Sequence, residues 1–268
     1  MRVIILTSTF FRHRYVVNYV AEQLEVVGVV QEEKSFKPAR YAVTADDRTV
    51  IAKHFSDRDK SEANYFSNHG KLAADLGVRL RTGSPGIIND PKEIDEMSAL
   101  SPDVVLVFGT GLLRSTIIER FAGRIINLHL GLSPYYRGAG TNFWPLVNRE
   151  PEFVGATVHY LDAGIDTGPL IAHARPAVGA SDGPHDLGNK AIIAGTEALV
   201  RAARAHVDGG LKPKPQTNKG RLYQRKNFSA DAVRMLRRNF ENGMIEEYLT
   251  NQAERDAKID LLDPPDVA

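Results

Sequence analysis

This 268-residue chain contains no cysteine. Disulfides and thiol nucleophiles are therefore excluded, and the composition fits a reducing compartment. Neither charge is in excess: 34 lysines and arginines face 33 aspartates and glutamates, a formal net charge of +1. The field of the whole chain therefore does not mark it for nucleic acid. No apolar run approaches the roughly 18–20 residues of a membrane helix. Residues 1–7 are too short for a signal peptide and lack its flanks, so they read as a first strand. These absences predict a cytoplasmic location without membrane association. The histidines are scattered, with no HExxH and no clustered His/Asp spacing, and no metal site is expected. No internal repeat is legible.

What is present is an alternation of short apolar runs and amphipathic stretches. Residues 3–6 and 26–30 read as strands; residues 14–24 read as a helix, with Val16, Val17, Val20 and Leu24 at helical spacing. Residues 31–57 turn polar and charged without clear periodicity, which predicts a long connection whose ordering on ligand binding is left open. Helices are expected over 62–76 and 91–100, and a strand over 78–80. Val104-Val105-Leu106-Val107-Phe108 is the most apolar strand and is expected at the centre of the sheet. The alternation predicts an α/β fold, a doubly wound, mostly parallel sheet of Rossmann-like type. A helix over 182–206 ends at Gly209-Gly210. Pro213, Pro215 and the polar stretch to Gly220 read as a linker. Leu222-Tyr223 reads as a short strand, 230–249 as one or two helices, and 256–268 as a loose tail. The predicted division is a main domain over 1–210 and a small C-terminal unit with its tail over 211–268.

The chemistry concentrates in one stretch. Arg124-Ile125-Ile126 is a buried-strand pattern, and Asn127 and His129, two apart, leave the same face at its end. An amide and an imidazole on an apolar strand are costly unless both find partners. Gly131, Pro134, Gly138 and Gly140 then force an irregular loop. In open α/β sheets, ligands bind beyond the carboxyl ends of the strands, where this pair sits. Gly155 to Leu161 reads as a strand with His159 near its end. The glycine-punctuated loop Asp162-Ala163-Gly164-Ile165-Asp166-Thr167-Gly168 follows, and a strand resumes at Pro169. This unit can return Asp166 to His129, where a carboxylate would raise the imidazole pKa and orient its protons. Singly, each residue has a blander role: a satisfied strand-end histidine, a turn-capping Asn127, an Asx-turn Asp166. The ordered set reverses that balance.

Taken in order, Asn-x-His, Pro-x-Tyr-Arg-Gly, Thr-x-His and Asp-x-Gly resemble the catalytic domain of 10-formyltetrahydrofolate-dependent formyltransferases. Glycinamide-ribonucleotide, methionyl-tRNA and sugar N-formyltransferases belong to that family. The resemblance is close over roughly residues 100–180 and looser at the flanks. It implies the formyltransferase version of the Rossmann-like fold, 10-formyltetrahydrofolate as formyl donor, and Asn127, His129 and Asp166 as the catalytic trio. It also implies that the pterin is held by Phe108, Gly109, Gly111, Leu112 and Leu113 and by Asp162, Gly164 and Ile165. On this reading Asn127 and a protonated His129 stabilise the oxyanion, or a neutral His129 acts as base; the residues leave both open. Neither a covalent intermediate nor a metal is needed. Oligomers are common in that family, which leaves a homodimer open.

The acceptor amine is less legible. Purine-pathway members resemble one another in a glycine-rich phosphate loop after the first strand. Thr7-Ser8-Thr9-Phe10-Phe11-Arg12-His13-Arg14 stands there instead, without glycine. tRNA-directed members carry a C-terminal barrel, whereas the stretch after Pro213 reads as helical. Residues 212–238 hold Lys212, Lys214, Lys219, Arg221, Arg225, Lys226, Arg234, Arg237 and Arg238 against Asp231 alone, either a solvated face or a phosphate grip. Where relatives read His-Pro/Gly-Ser-Leu-Leu-Pro, this chain has His129-Leu130-Gly131-Leu132-Ser133-Pro134, which reshapes the loop beside the histidine. The expected acceptor is a small-molecule amine, a nucleotide-linked amino sugar, with Arg12, Arg14, Tyr135, Tyr136 and Arg137 as its candidate contacts. Phe10, Phe11 and Trp144 are candidate stacking surfaces. The alternatives are a methionyl-tRNA or other small-amine acceptor, or water, which would make the protein a 10-formyltetrahydrofolate hydrolase.

Overall fold

The alternation of apolar runs resolves into a layered sheet. A computed structural model of the chain describes residues 1–34, 38–69, 78–217 and 220–266. Along the chain run β1 (Arg2–Ser8), α1 (Phe11–Gln23), β2 (Glu25–Glu32), α2 (Ala45–Phe66), β3 (Arg79–Gly83), α3 (Pro91–Ala99), β4 (Val104–Phe108), α4 (Ser115–Arg120) and β5 (Ile125–Leu130). They are followed by β6 (Tyr136–Gly138), α5 (Trp144–Val147), β7 (Ala156–Tyr160), β8 (Leu170–Ala174), α6 (Pro184–Val207), β9 (Arg221–Tyr223), α7 (Ala230–Glu241), α8 (Met244–Thr250) and α9 (Gln252–Asp256). Seven strands form one sheet in the order β3-β2-β1-β4-β5-β7-β8. β3, β2, β1, β4 and β5 pair in parallel, and β7 and β8 join antiparallel. β4 is the middle strand of the seven, as its uninterrupted apolar sequence predicts.

Strand alternation divides the core. Val3, Ile5, Leu106, Phe108, Ile126 and Leu128 face one layer with α1 and α6; Ile4, Leu6, Val105, Val107 and Ile125 face the other with α3 and α4. Because both faces are covered, these strands show no polar alternation.

Three expectations need correction. Residues 31–57 are not one long connection: β2 continues to Glu32, and α2 begins at Ala45. Thr44 caps that helix, with its Oγ1 accepting the Asp47 N–H while Asp47 accepts the Thr44 N–H. The helical period was hidden because the buried face of α2 carries His54 and Glu62 beside Ile51 and Phe66. The helix expected over 62–76 is the end of α2, which stops at Phe66; residues 70–77 lie outside the described residues. The tail beyond Asp256 is not loose where described. Leu262 exchanges hydrogen bonds with His173, and Arg201 donates to the carbonyls of Pro264 and Pro265.

The C-terminal elements share core with the rest of the chain. Leu236, Met244 and Ile245 pack with Leu146, Val154, Leu187 and Ala191, while Ala230 and Val233 pack against Ile51. β9 pairs in parallel with β6, which lies in the loop after β5. That pairing requires Gly138: φ is +93°, and a Cβ there would lie 2.2 Å from the Tyr223 carbonyl oxygen.

Candidate active site

The antiparallel register of β5 and β7 builds the first part of the site. Asn127 lies opposite His159, and His129 opposite Thr157. The His159 Nδ1 donates to the Tyr160 carbonyl at 2.8 Å. Its Nε2 is then the lone-pair nitrogen of a neutral ring and accepts from the Asn127 amide at 3.0 Å. Burial, and then the neighbouring His129, hold the His159 pKa below the ordinary histidine range, in keeping with that neutral form. This bond spends one N–H of Asn127 and leaves its second available to a ligand.

His129 is 7 % exposed. Its Nδ1 faces Asp166 Oδ1 at 3.4 Å, and its Nε2 faces the Tyr136 carbonyl oxygen at 3.3 Å. Gly131 makes that approach possible, since its φ is +139° and a Cβ would lie 3.1 Å from the same Nε2. Asp166 returns to β5 as the strand–loop–strand pattern predicts. Its second oxygen accepts the Gly138 N–H at 2.9 Å, and Oδ1 also lies 3.9 Å from His159. Asp166 adopts a left-handed conformation, φ +51°, which aspartate tolerates better than most residues. Gln216 secures it by donating to the carbonyls of Asp166 and Gly168. Amide, imidazole and carboxylate thus meet at one point of the sheet.

The two loops implied by the resemblance flank this point. The side chain of Phe108 is buried at the end of β4 and packs on His13 at 4.8 Å; Gly109, φ +67°, begins the loop that carries Gly111, Leu112 and Leu113. Leu112 is 75 % exposed and Ile165, on the other loop, 46 %. Asp162 is a turn residue: its Oδ1 accepts from the Gly164 N–H and the Thr167 hydroxyl.

Beside the trio lies a cavity of about 560 Å³. Gly111, Leu130, Ala139 and Gly140 border it on the trio's side, and the carboxyl end of β2, helix α2, the start of α6 and residues 224–228 complete its wall. Its cations are Arg12, Lys34, Arg40, Arg58 and Arg225; its aromatic rings include Phe10, Tyr41, Phe55, Phe143, Trp144 and Phe228. Burial, then Arg12 and Arg225, push the Lys34 ammonium down to about 8. The rings of His54 and His185 meet at 4.8 Å, tilted by 55°, in the same wall.

Of the sequence-predicted acceptor contacts, only Arg12 lines this cavity. Arg12 is also paired with Glu62 at 2.5 Å. Arg14 lies over the Phe11 ring, 5.8 Å from its centroid. Tyr135 packs on Phe153, and its hydroxyl accepts the Asp260 N–H at 2.9 Å. Tyr136 is fully buried, its hydroxyl bonded to Glu150, Asn148 and Arg221. Arg137 is half-buried in β6. The basic cluster is divided rather than continuous. Arg221 binds Glu150, Arg234 binds Asp46 and Asp47, and Arg225 lines the cavity, whereas Lys219 lies outside the described residues.

Sequence reasoning missed Lys34, Arg40, Arg58, His54 and His185. Lys34 and Arg40 sit in a stretch that reads as connection, and nothing local ties either to α2 or α6. The capping pattern Thr44-x-x-Asp47 was the signal that could have found the helix.

Residues 1–203 match the model of the formyl transferase family. The chain belongs to that family. Among curated members it is 32% identical to the methionyl-tRNA formyltransferase of Thermodesulfovibrio yellowstonii over 148 residues, 55% of this chain and 47% of that protein. It is 28% identical to the enzyme of the same name from Caldanaerobacter subterraneus subsp. tengcongensis over 179 residues, 66% of this chain and 57% of the relative. The chain thus spans about half the length of these relatives. Solved formyltransferase structures share the fold at lower identity. An N-formyltransferase from Helicobacter canadensis, in complex with folinic acid and dTDP-3-aminofucose, superposes with a TM-score of 0.58 at 15% identity over 88% of this chain and 79% of that one. A likely sugar N-formyltransferase from Mycobacterium tuberculosis gives 0.55 at 20% identity, over 85% and 76%. The sheet order and its covering helices are therefore those of a formyltransferase fold.

Proposed function

We propose that this protein transfers a formyl group from 10-formyltetrahydrofolate to the amino group of a nucleotide-linked amino sugar. The observation that carries the chemistry is the meeting of Asn127, His129 and Asp166 across β5 and the β7–β8 loop, with His129 Nδ1 3.4 Å from the carboxylate. The amine nitrogen attacks the formyl carbon, a C–N bond forms, and the carbonyl oxygen becomes an oxyanion. The spare N–H of Asn127 is the donor aimed at that charge, able to lower the barrier by about 3 kcal/mol in a dry site, while His129, its two nitrogens turned to Asp166 and the Tyr136 carbonyl, adds positive charge beside it. Both nitrogens of His129 face oxygen acceptors, an arrangement that suits an imidazolium held by an ionised Asp166. The intermediate collapses by breaking the bond to N10 of the folate, and the proton lost by the amine ends on that nitrogen.

The exposed Leu112 and Ile165, one on each flanking loop, support the flat faces of a pterin ring between those loops. The cavity supports the acceptor. Its cations match a diphosphate, its rings match a base and a sugar, and an anion beside Lys34 would offset the burial and the two guanidiniums that depress its pKa. The structural neighbour from H. canadensis was solved with a nucleotide-linked amino sugar and a folate. A second reading, a methionyl-tRNA acceptor, is favoured by the curated relatives, which carry that name.

A folate-absorbance assay with purified protein separates these readings. Turnover with nucleoside-diphosphate amino sugars, and none with glycinamide ribonucleotide or charged initiator tRNA, is expected. Turnover confined to charged tRNA would overturn the acceptor assignment, and formate release without amine would point to hydrolysis.

A further inference from the structure

Glu32, the last residue of β2, is 3 % exposed. Its backbone is fixed, because the Ser8 hydroxyl donates to its carbonyl at 2.8 Å and β2 lies between β1 and β3. Its two carboxylate oxygens are divided between two loops. Oε1 accepts the Gly86 N–H at 2.8 Å, from the turn after β3, and Oε2 accepts the Gly111 N–H at 2.7 Å, from the loop after β4. A carboxylate this buried is tolerable only with such charge-assisted bonds. Asn89 braces the same loop from the β3 side, donating to the Leu112 carbonyl at 3.0 Å and accepting the Arg114 N–H at 2.7 Å. Residues 109–114 lie between β4 and α4, and these two side chains hold their backbone at Gly111, Leu112 and Arg114. Glu32 also lines the cavity assigned to the acceptor.

We propose that Glu32 is a positioning residue for the formyl donor, setting the backbone of residues 109–113 against His129 and Asn127. This rests on the reading that this loop holds the pterin. Both oxygens are committed to backbone amides, so Glu32 acts through the loop and not as a base toward the amine. Glutamine at this position would turn an N–H₂ group toward one of the two N–H donors, releasing one loop and weakening the hold on the other. Preorganisation is most exact where a loop hangs from a side chain on a rigid strand, which is how Glu32 is placed.

The test uses the full chain with Glu32→Gln, Glu32→Ala and Asn89→Ala, and unreactive 5-formyltetrahydrofolate as the probe. Calorimetry should show the wild type binding and Glu32→Gln binding about tenfold more weakly. The KM for the formyl donor should rise in parallel, and amide hydrogen exchange should accelerate at residues 109–114; in Asn89→Ala, whose side chain does not line the acceptor cavity, the KM for the amine should stay within about twofold. Asn89→Ala should move every readout in the same direction and carries the test if Glu32→Ala does not fold. Wild-type folate affinity in folded Glu32→Gln and Asn89→Ala, with only a lower Tm, would reduce Glu32 to a structural brace and overturn the proposal. A change confined to the KM of the amine would overturn it as well. A wild type that does not bind the folate would instead defeat the functional reading on which the role rests.

Discussion

In the site on β5, the protein's own groups hold one another. Asn127 donates to His159, His129 lies between Asp166 and the Tyr136 carbonyl, and Gly138 and Gln216 fasten Asp166. The neighbouring cavity is built differently. Arg12 arrives from α1, Lys34 from just after β2, Arg58 from α2, His185 from α6 and Arg225 from the segment before α7, and they line open space although Arg12 and Arg58 also pair with Glu62 and Asp59. The first region spends its polar groups on geometry, as acid–base and oxyanion chemistry requires. The second holds Lys34 partly buried and near two guanidiniums; burial first, then those charges, lower its pKa, and an anionic ligand would offset both. On the proposed function, the contrast separates the region that reacts from the one that binds the acceptor.

Breaking the first region should have the largest effect. His129→Ala should lower kcat by about three orders of magnitude, because both a charge and a proton route are lost. Binding of 5-formyltetrahydrofolate should stay near wild type, and single-turnover absorbance measurements check both parts. A variant with wild-type turnover would remove His129 from the mechanism.

A smaller effect, of a different kind, is expected from the cavity. Lys34→Ala and Arg225→Ala should each raise the KM of a phosphorylated acceptor about tenfold while kcat changes little, since a charge contacting only a remote phosphate contributes binding in ground and transition state alike. The wild-type KM should also rise with salt, and less steeply in either variant. Equal losses in kcat would merge the two regions into one.

The smallest effect sharpens the comparison through pH. Burial, then the mutual proximity of the rings and Arg58, push His54 down to about 3; burial, then Arg58, push His185 down to about 4. Both pKa values are lower folded than unfolded, so the unfolded chain binds more protons below the ordinary histidine pKa of about 6.5. Their contribution to stability is full above that pH and is lost as pH falls through 6.5 towards 4 and then 3. Urea titrations at pH 7 and pH 6 should therefore differ by about 1 kcal/mol, and the difference should shrink in His185→Phe. An unchanged difference in that variant would place the pH dependence elsewhere.

The legible parts of the molecule were those whose physics is local. β4 spells five buried residues in a row, and β1 alternates Val3 and Ile5 against Ile4 and Leu6 across a sheet covered on both faces. The meeting of Asn127, His129 and Asp166 was legible because a strand and its neighbouring hairpin carry them. α2 was not legible over its first half, because His54 and Glu62 occupy core positions and erase the apolar period. Tyr136 was misjudged as an acceptor contact for a related reason: its hydroxyl partners Asn148 and Glu150 come from the segment after α5 and Arg221 from β9, and only folding brings them to the ring.

From sequence alone come the alternating α/β layers, the central strand, the amide–imidazole pair at the end of β5 and the absence of any thiol. These follow from composition and from spacings of two to a few residues, where covalent geometry already dictates which side chains share a face. Tertiary structure alone decided that Glu33, Lys34, Arg40 and Tyr41 line a cavity, which cations surround it, and that Glu32 reaches Gly86 and Gly111 across two loops. Such contacts join segments 50 or more residues apart, and no local pattern encodes a distance that exists only once the sheet has ordered its strands.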